Sequence, residues 1–282
     1  MDKSVVKHRR KLNDQQIEVL ELLYRFRFGS NSLFAEYFGK KDRSFVFKRL
    51  KILLEQGYIG KRFDSSYRIQ GKPAAYYLLP AGARVLQGLR TPEKAKEIKV
   101  KAIYNDKNVK DGFVAHCLSV FVIHNWLKAL YGDKQKLFSK SGLAVYGYFP
   151  RPLPDAYISL KTGAEGKDKP KRYLLDIFED DIPFFILIRR IKKYIYFSKN
   201  NDWPKKDSLP AILMLTESPR RQKQLARRIA KELREAELDE DNILFATSTL
   251  EAVTKAKTNQ DKIWQLADQD KTMEALENIF MT

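Results

Sequence analysis

The stretch "RYLLDIFEDD", Arg172 to Asp181, places an apolar run directly before a group of acidic side chains. The run predicts a buried strand, and the acids mark the point where it ends. A second predicted strand, in "RPLPDAYISL" (residues 151–160), begins at another acid, Asp155. If the two strands are neighbours, Asp155 and Asp176 lie close together. Paired carboxylates of this kind can hold a metal ion or neutralise a buried cation.

The charge of the chain is its strongest global property. The sequence has 53 Lys and Arg residues against 35 Asp and Glu, a formal net charge of +18. The first ninety residues hold 19 basic and 8 acidic side chains, so they carry most of the excess. An imbalance of this size favours a polyanionic partner such as nucleic acid.

Length and composition predict a cytoplasmic protein of one large or two ordinary domains. The 282 residues are 44% hydrophobic, which is enough for a sizeable core. The single cysteine, Cys117, excludes an internal disulfide and a cysteine-based zinc site, and we expect it to be buried. We identify no secretory signal and expect no apolar run long enough to cross a membrane.

The first ninety residues predict three helices. Asn13 is a good N-cap for the first, and "SNSLFAEYFG" (residues 30–39) forms the short second. In the third, Val46, Leu50, Leu53 and Leu54 form one apolar stripe, while basic and polar residues occupy the opposite face.

Two β-rich runs after the third helix flank a polar loop with Gly and Pro, which predicts a hairpin, and a short helix begins near Pro80. Three helices followed by a hairpin and a helix resemble a winged helix-turn-helix. That resemblance implies that the third helix enters the major groove and the wing contacts the backbone of duplex DNA. The implied DNA-binding residues are Lys41, Arg43, Ser44, Phe47, Lys48 and Lys51 with Lys61, Arg62, Arg68 and Lys72.

Two other interpretations of this segment stay open. The basic face can be an ordinary solvated surface, and winged helices also serve as protein-interaction modules. The basic sequence "KHRRK" (residues 7–11) would add phosphate contacts as an arm if the segment binds DNA.

We expect residues 1–90 to form the DNA-binding domain and residues 91–107 a charged linker. The chain then becomes apolar on nearly all sides in "GFVAHCLSVFVIHNWLKALYG" (residues 112–132), which predicts a buried helix. His116 and His124 lie on that helix without an evident third ligand, so we interpret them as core or boundary residues.

Residues 108–282 alternate strands and helices, which predicts a mixed sheet covered by helices and an α/β (α+β) chain overall. Predicted strands are "SGLAVYGYF" (141–149), the two acidic strands, "LPAILMLTES" (209–218) and "NILFATST" (242–249), with two short helices after the last. Two long helices, one after the "RYLLDIFEDD" strand and one over residues 217–236, lie between them.

The Pro-Asp strand, the acidic strand and the following helix resemble the PD-(D/E)XK nuclease-like fold. The resemblance implies a Mg²⁺ site on Asp155 and Asp176, with a lysine that positions the attacking water. Phe178 stands in the lysine position, so the implied basic group would have to come from the next helix, with Lys192 as the candidate. The alternative is structural: Asp176 caps its strand or pairs with Arg189 or Arg190.

The order of all these features resembles the replication-relaxation family of plasmids, phages and integrative elements. Its members typically have a winged helix, a "PDA" strand, an acidic strand, a helix ending in Lys and Tyr, and a strand followed by an Arg-rich helix. Here Asp176 stands at the family's Glu and Phe178 at its Asp. The resemblance covers roughly residues 12–250 and implies a DNA-binding accessory protein.

The sequence therefore predicts a two-domain protein that binds double-stranded DNA, forms a homodimer, and works with a relaxase or replication protein. Its nuclease-like domain would be degenerate, with no cofactor, or with Mg²⁺ if the site is active. Three alternatives remain: a Mg²⁺-dependent endonuclease, a transcriptional regulator with a C-terminal oligomerisation domain, and a winged-helix adaptor that binds protein.

Overall fold

The computed structural model describes most of the chain as two compact units, Met1–Phe121 and Val122–Thr282. We call them the first and second units. The predicted N-terminal arm and the polar loop predicted after the "PDAYISL" strand lie largely outside the described residues. The described residues are 11–63, 65–96, 98, 100–162, 170–200, 203–204, 208–239, 242–267 and 272–280, without the side chains of 101 and 102.

The first unit combines helices with a small antiparallel sheet whose strand order is β1-β3-β2. The predicted hairpin is confirmed, since β2 and β3 pair antiparallel with Ile59 opposite Leu78. The elements before residue 90 are α1 (Asp14–Phe26), β1 (Phe28–Ser30), α2 (Asn31–Tyr37), α3 (Ser44–Glu55), β2 (Ile59–Arg62), α4 (Ser65–Ile69), β3 (Ala75–Leu78) and α5 (Pro80–Gly88).

Local sequence explains where these helices begin and end. Asn13 and Gln16 form a capping box at the start of α1, in which each side chain accepts from the other residue's backbone N–H. Helix α3 buries Val46, Leu50 and Leu53, as the apolar stripe predicts, and the chain leaves it through Gly57. Gly57 has a φ of +68°, a conformation that glycine adopts without steric cost.

The connection from β2 to β3, residues 63–74, is more ordered than the predicted loop. We call it the wing segment. It contains the helical turn α4, which buries Tyr67 and exposes Ile69. The Tyr67 hydroxyl donates to Asp111 Oδ1 at 2.7 Å, and this bond fixes the base of the segment.

The segment predicted to be a linker packs into the first unit. Gln87 donates a hydrogen bond to the carbonyl of buried Ile98 at 3.1 Å. Arg27 pairs with the buried carboxylate of Asp106. Residues 91–107 are therefore not a free linker, because contacts of Ile98 and Asp106 attach them to the rest of the first unit. The elements here are α6 (Pro92–Lys96), α7 (Val100–Ile103) and a 3₁₀ segment (Tyr104–Asn108).

The predicted buried helix is α8 (Asp111–Tyr131), and the boundary between the units falls within it. Its window Asp111–Lys134 is long and apolar enough to span a membrane by length and composition, which corrects our expectation that the chain has no such run. Between Gly112 and Gly132 the sequence contains one Lys, Lys128, and no Asp, Glu or Arg, so the mean hydropathy of the helix stays high. Half of the window is buried, and Val114 and Cys117 lie in a core cluster.

The second unit is built on a seven-stranded mixed sheet in the order β10-β9-β8-β7-β6-β5-β4. The chain is thus mixed α/β, as predicted. The elements are β4 (Gln135–Ser139), α9 (Lys140–Leu143), β5 (Ala156–Leu160), β6 (Lys171–Phe178), α10 (Phe184–Asn200), β7 (Ala211–Thr216), α11 (Pro219–Glu235), β8 (Phe245–Thr249), α12 (Leu250–Lys255), β9 (Trp264–Leu266) and β10 (Met273–Glu274).

The two acidic strands are neighbours, as the sequence predicts. Strands β5 and β6 pair antiparallel with Ala156 opposite Leu175, so Asp155 and Asp176 stand one step further along the same ladder. Strands β6, β7 and β8 are parallel, and their connections carry α10 and α11. Because helices pack on these central strands, β7 is buried at every position, which matches its continuous apolar sequence.

One predicted strand is wrong, and one strand was not predicted. The sequence "SGLAVYGYF" was expected to be a strand, but it forms α9 and turns, because glycines at 142 and 147 interrupt it. The edge strand is instead β4, where alternate residues such as Leu137 point inward between exposed ones. After β8 the chain forms two short helices, as predicted: α12 and a 3₁₀ helix (Leu276–Asn278), with the short strands β9 and β10 between them.

Candidate functional site

The outer face of α3 is the first candidate site. Ser44, Phe47, Lys48 and Lys51 are all exposed on it, and we call them the α3 face. Phe47 is half-exposed at 50%, so its ring is accessible on this face. Lys41 and Arg43, just before the helix, are exposed as well. All six predicted residues of this region are therefore accessible to a ligand.

The start of α3 is held by Asp42, a residue that the sequence analysis did not select. Its carboxylate accepts from the backbone N–H of Ser44 at 2.7 Å and from the Ser44 hydroxyl. These hydrogen bonds, together with the charge of Lys48, lower the pKa of Asp42. The side chain therefore caps the helix while it is ionised, and Ser44 is partly committed to this cap.

The wing segment and the adjoining end of β2 present a second group of accessible side chains. Lys61, Arg68 and Lys72 are exposed, as predicted. The Lys61 ammonium lies 4.9 Å from the ring centroid of the exposed Phe63. Ile69, at 86% exposure, is the most exposed of the large apolar side chains in the described part of the chain. The segment therefore combines cations with apolar tips, a composition suited to contact with a nucleic-acid groove.

Arg62 is the predicted DNA-binding residue whose guanidinium is already engaged. It donates to the carbonyl of Val109 at 2.6 Å and to Asp111 Oδ1 at 2.7 Å. Because Tyr67 donates to the same carboxylate oxygen, Arg62 and Asp111 hold the base of the wing segment. This geometry favours a positioning role for Arg62 over direct contact with DNA.

The second candidate site is in the second unit, where Asp155 stands at the entrance to β5. Its Oδ2 accepts from the backbone N–H of Ile177 at 2.9 Å, and its own N–H donates to the carbonyl of Leu175 at 2.9 Å. Lys140 Nζ lies 3.7 Å from Oδ1 and is largely exposed. Asp155 therefore joins the ends of the two acidic strands.

Asp176 forms a buried ion pair with Arg190 of α10. Arg190 donates to both carboxylate oxygens, from Nε at 2.6 Å and from Nη2 at 3.0 Å, a bidentate arrangement. The Tyr194 hydroxyl donates to Asp176 Oδ2 at 2.7 Å, and Arg190 Nη1 donates to the carbonyl of Pro152. Asp155, Asp176, Arg190 and Tyr194 form what we call the carboxylate cluster.

Burial and charge both shape the ionisation of this cluster. Burial alone would lower the pKa of Arg190, but the neighbouring Asp176 carboxylate outweighs this effect and raises the pKa above its usual value. Burial, reinforced by the Asp176 carboxylate, raises the pKa of Tyr194 well above its usual value. The guanidinium is therefore always charged and the phenol is neutral under ordinary conditions. The cluster is therefore a buried ion pair between Asp176 and Arg190, to which the neutral Tyr194 hydroxyl donates a hydrogen bond.

This arrangement does not fit the implied magnesium site well. Both oxygens of Asp176 already accept from Arg190 or Tyr194, so no strong acceptor is left for a hard cation. The described residues contain no group of three His, Cys, Asp or Glu side chains placed to hold a metal ion. Lys192, the candidate for the missing lysine, is exposed and lies 3.7 Å from Glu232 Oε2. The geometry favours a structural role for the two carboxylates.

The partner of Asp176 was among the sequence alternatives, but two members of its network were not. Arg189 and Arg190 were equivalent on sequence, and the structure selects Arg190 because it lies on the buried face of α10. Tyr194 follows Arg190 by four residues, one helical turn, which is a usable signal for a shared face. Nothing in the sequence indicates the carbonyl of Pro152 as an acceptor.

Comparison with known proteins gives one match. A family model described as replication-relaxation matches residues 20–212, more than half of the chain. The matched range begins within α1 and ends in β7, so it includes the α3 face, the wing segment and the carboxylate cluster. No curated protein and no solved structure matches the chain.

Proposed function

Because the chain belongs to the replication-relaxation family, we propose that it is a DNA-binding accessory protein of a mobile genetic element. It would recognise duplex DNA through the first unit, which we interpret as a winged helix. Its role would be in plasmid replication, mobilisation or transcription control, in the cytoplasm. Double-stranded DNA is its principal ligand, and a relaxase or replication protein is its expected partner.

One observation carries this proposal: the α3 face is exposed and basic, and the one acid beside it, Glu55, lies at the end of the helix, 3.9 Å from Lys51. Helix α3 follows α2 and precedes an antiparallel hairpin, which is the element order of a winged helix. The small Ser44 at its start allows close approach of a phosphate, while Lys48 and Lys51 lie on the same face. The exposed Phe47 would pack on a sugar or a thymine methyl group.

The second unit supports the proposal as a scaffold. Its mixed sheet places the two acidic strands side by side, as in the PD-(D/E)XK arrangement, while Arg190 occupies the Asp176 carboxylate. We interpret it as a degenerate nuclease-like domain that forms a homodimer or contacts a partner protein.

Charge reversal on the α3 face tests the proposal. We expect the double variant Arg43→Glu, Lys48→Glu to lose roughly 100-fold in affinity for a mixed-sequence 40-bp duplex, because two phosphate contacts become repulsive. The slope of log affinity against log salt should also fall by about 2, since each lost contact removes about 0.9. Fluorescence anisotropy between 50 and 200 mM salt measures both quantities.

The matched control carries the same charge change elsewhere in the first unit. Lys94 and Lys96 are exposed on α6, away from the α3 face in sequence. The variant Lys94→Glu, Lys96→Glu should therefore bind the duplex within about threefold of the parent. Equal losses in both variants would mean that binding depends only on net charge, and no loss in either would support the protein-binding adaptor.

The endonuclease alternative has a separate test. Plasmid DNA incubated with the protein and Mg²⁺ or Mn²⁺ should stay uncut, because Asp176 is already paired with Arg190. Cleavage that disappears in Asp155→Ala would establish the nuclease instead. A nicking activity that survives Asp155→Ala would indicate a contaminant.

A further inference from the structure

Helices α10 and α11 of the second unit form a strongly basic surface that the proposed function leaves unused. Together they contain twelve Lys and Arg residues and two acids, both glutamates on α11. Glu232 is buried and forms ion pairs with Lys192 and Arg228, which balance its negative charge. Glu235 is exposed at the end of α11, beside Lys231 at 3.6 Å.

Five exposed cations line one side of α11. They recur at intervals of three or four residues, which places them along a single stripe of the helix. The stripe extends over fifteen residues, so its ends are about 21 Å apart at the rise of an α-helix. Within the described residues, four of the five have no ion pair; the exception is Lys231. This basic stripe consists of Arg220, Lys223, Arg227, Lys231 and Arg234.

An aromatic side chain lies beside the stripe. Phe184, at the start of α10, lines a shallow cleft of about 510 Å³ with Gln224, Arg227, Arg228 and Lys231. Its inner side packs against the core of the second unit, so the ring is held in place. Next to it Phe185 is 57% exposed, and the Arg189 guanidinium lies 5.6 Å from its ring centroid.

We propose that the cleft and the basic stripe bind single-stranded DNA. A row of cations beside an aromatic ring held in a cleft, with a second exposed ring next to it, is a combination that holds an unpaired strand, with phosphates on the cations and bases on the rings. A duplex fits less well, because its bases are stacked on each other and cannot reach a ring inside a cleft. The stripe length corresponds to a site of several nucleotides.

Charge reversal on the stripe tests this inference in the whole chain. We expect Lys223→Glu, Arg227→Glu, Lys231→Glu to lower affinity for labelled dT20 at least tenfold. The salt slope for dT20 should fall by roughly 2, since each single-strand phosphate contact contributes about 0.7. The same variant should keep its affinity for the 40-bp duplex within about threefold at 150 mM salt, because the α3 face is intact.

A matched control reverses three exposed lysines elsewhere in the second unit. Lys134, Lys136 and Lys161 lie in or beside the edge strand β4 and its neighbour β5. Their replacement by Glu should leave dT20 binding within about threefold. An equal loss in the control would overturn the inference in favour of a non-specific charge effect. Unchanged dT20 binding in the stripe variant would overturn it directly.

The aromatic contribution has its own readout. Phe184→Leu, Phe185→Leu keeps the apolar character and removes both rings, so dT20 affinity should fall roughly tenfold with the salt slope unchanged. Polyglutamate carries negative charge but has no bases, so competition with it distinguishes base stacking from charge attraction. It should displace dT20 poorly from the parent protein. If polyglutamate competes as well as unlabelled dT20, the surface binds acidic polymers in general and the inference fails.

These outcomes are distinguishable from failure of the proposed function. The α3-face variant should lose duplex binding and retain dT20 binding, while the stripe variant should show the opposite pattern. If the α3-face variant loses neither, the proposed function fails alone. If the α3-face variant loses both and the stripe variant neither, one surface in the first unit binds all DNA, and the inference fails alone.

Discussion

Replacement of Arg190 by Met should destabilise the second unit by about 3–5 kcal/mol, the cost of removing one partner from a buried ion pair. The Asp176 carboxyl group, only 5% exposed, would lose its cationic partner and keep the Tyr194 hydroxyl as its remaining side-chain donor. The carbonyl of Pro152 would also lose its donor. For a unit of this size the melting temperature should fall by roughly 10 °C.

Tryptophan fluorescence measures this effect in the second unit specifically. The three tryptophans of the chain, Trp126, Trp203 and Trp264, all lie between residues 122 and 282. Urea unfolding followed by tryptophan emission at pH 7 therefore reports on the unit that contains Arg190. The first unit contributes no tryptophan signal.

Two further variants identify the cause of the loss. Lys193 lies on the same helix but is exposed, so Lys193→Ala should change the free energy of unfolding by less than about 0.5 kcal/mol. The triple variant Asp176→Leu, Arg190→Met, Tyr194→Phe removes the whole polar network and should recover most of the loss. An Arg190→Met variant within 1 kcal/mol of the parent would contradict the buried pair.

The elements that follow strong periodic patterns were predictable from sequence. Helix α3 has one apolar and one basic stripe, and the structure buries Val46 and exposes Lys48 accordingly. The β5–β6 pairing was predictable because both strands carry an acid at the same end of the ladder. In these cases local pattern and tertiary packing require the same arrangement.

Other features depend on contacts between distant residues, so the sequence could not reveal them. The choice of Arg190 over Arg189 depends on which face of α10 meets the sheet, and this is decided by the packing of Leu187 and Ile191. The engagement of Arg62 depends on Asp111, which lies 49 residues further along the chain. Strand β4 was missed because it is five residues long and two of its three buried positions, Gln135 and Ser139, are polar.

Alkaline pH should destabilise the second unit through three buried tyrosines. Burial raises the pKa values of Tyr131, Tyr173 and Tyr194 well above the ordinary value of 10. Above pH 10 each tyrosine loses its proton in the unfolded chain but keeps it in the folded one. The unfolded state then binds fewer protons, so stability is fully present below pH 10 and falls as pH rises.

The expected slope is about 1.4 kcal/mol per pH unit for each tyrosine, or roughly 4 kcal/mol for the three. Urea unfolding at pH 9, 10, 10.5 and 11, followed by tryptophan emission, measures it. Tyr173→Phe isolates one contribution: it loses the hydrogen bond from the phenol to the Leu276 carbonyl, about 1 kcal/mol at pH 7. In return its slope above pH 10 should fall by one third. Because the ionisation of lysines affects parent and variant equally, an identical slope in both would refute the assignment to buried phenols.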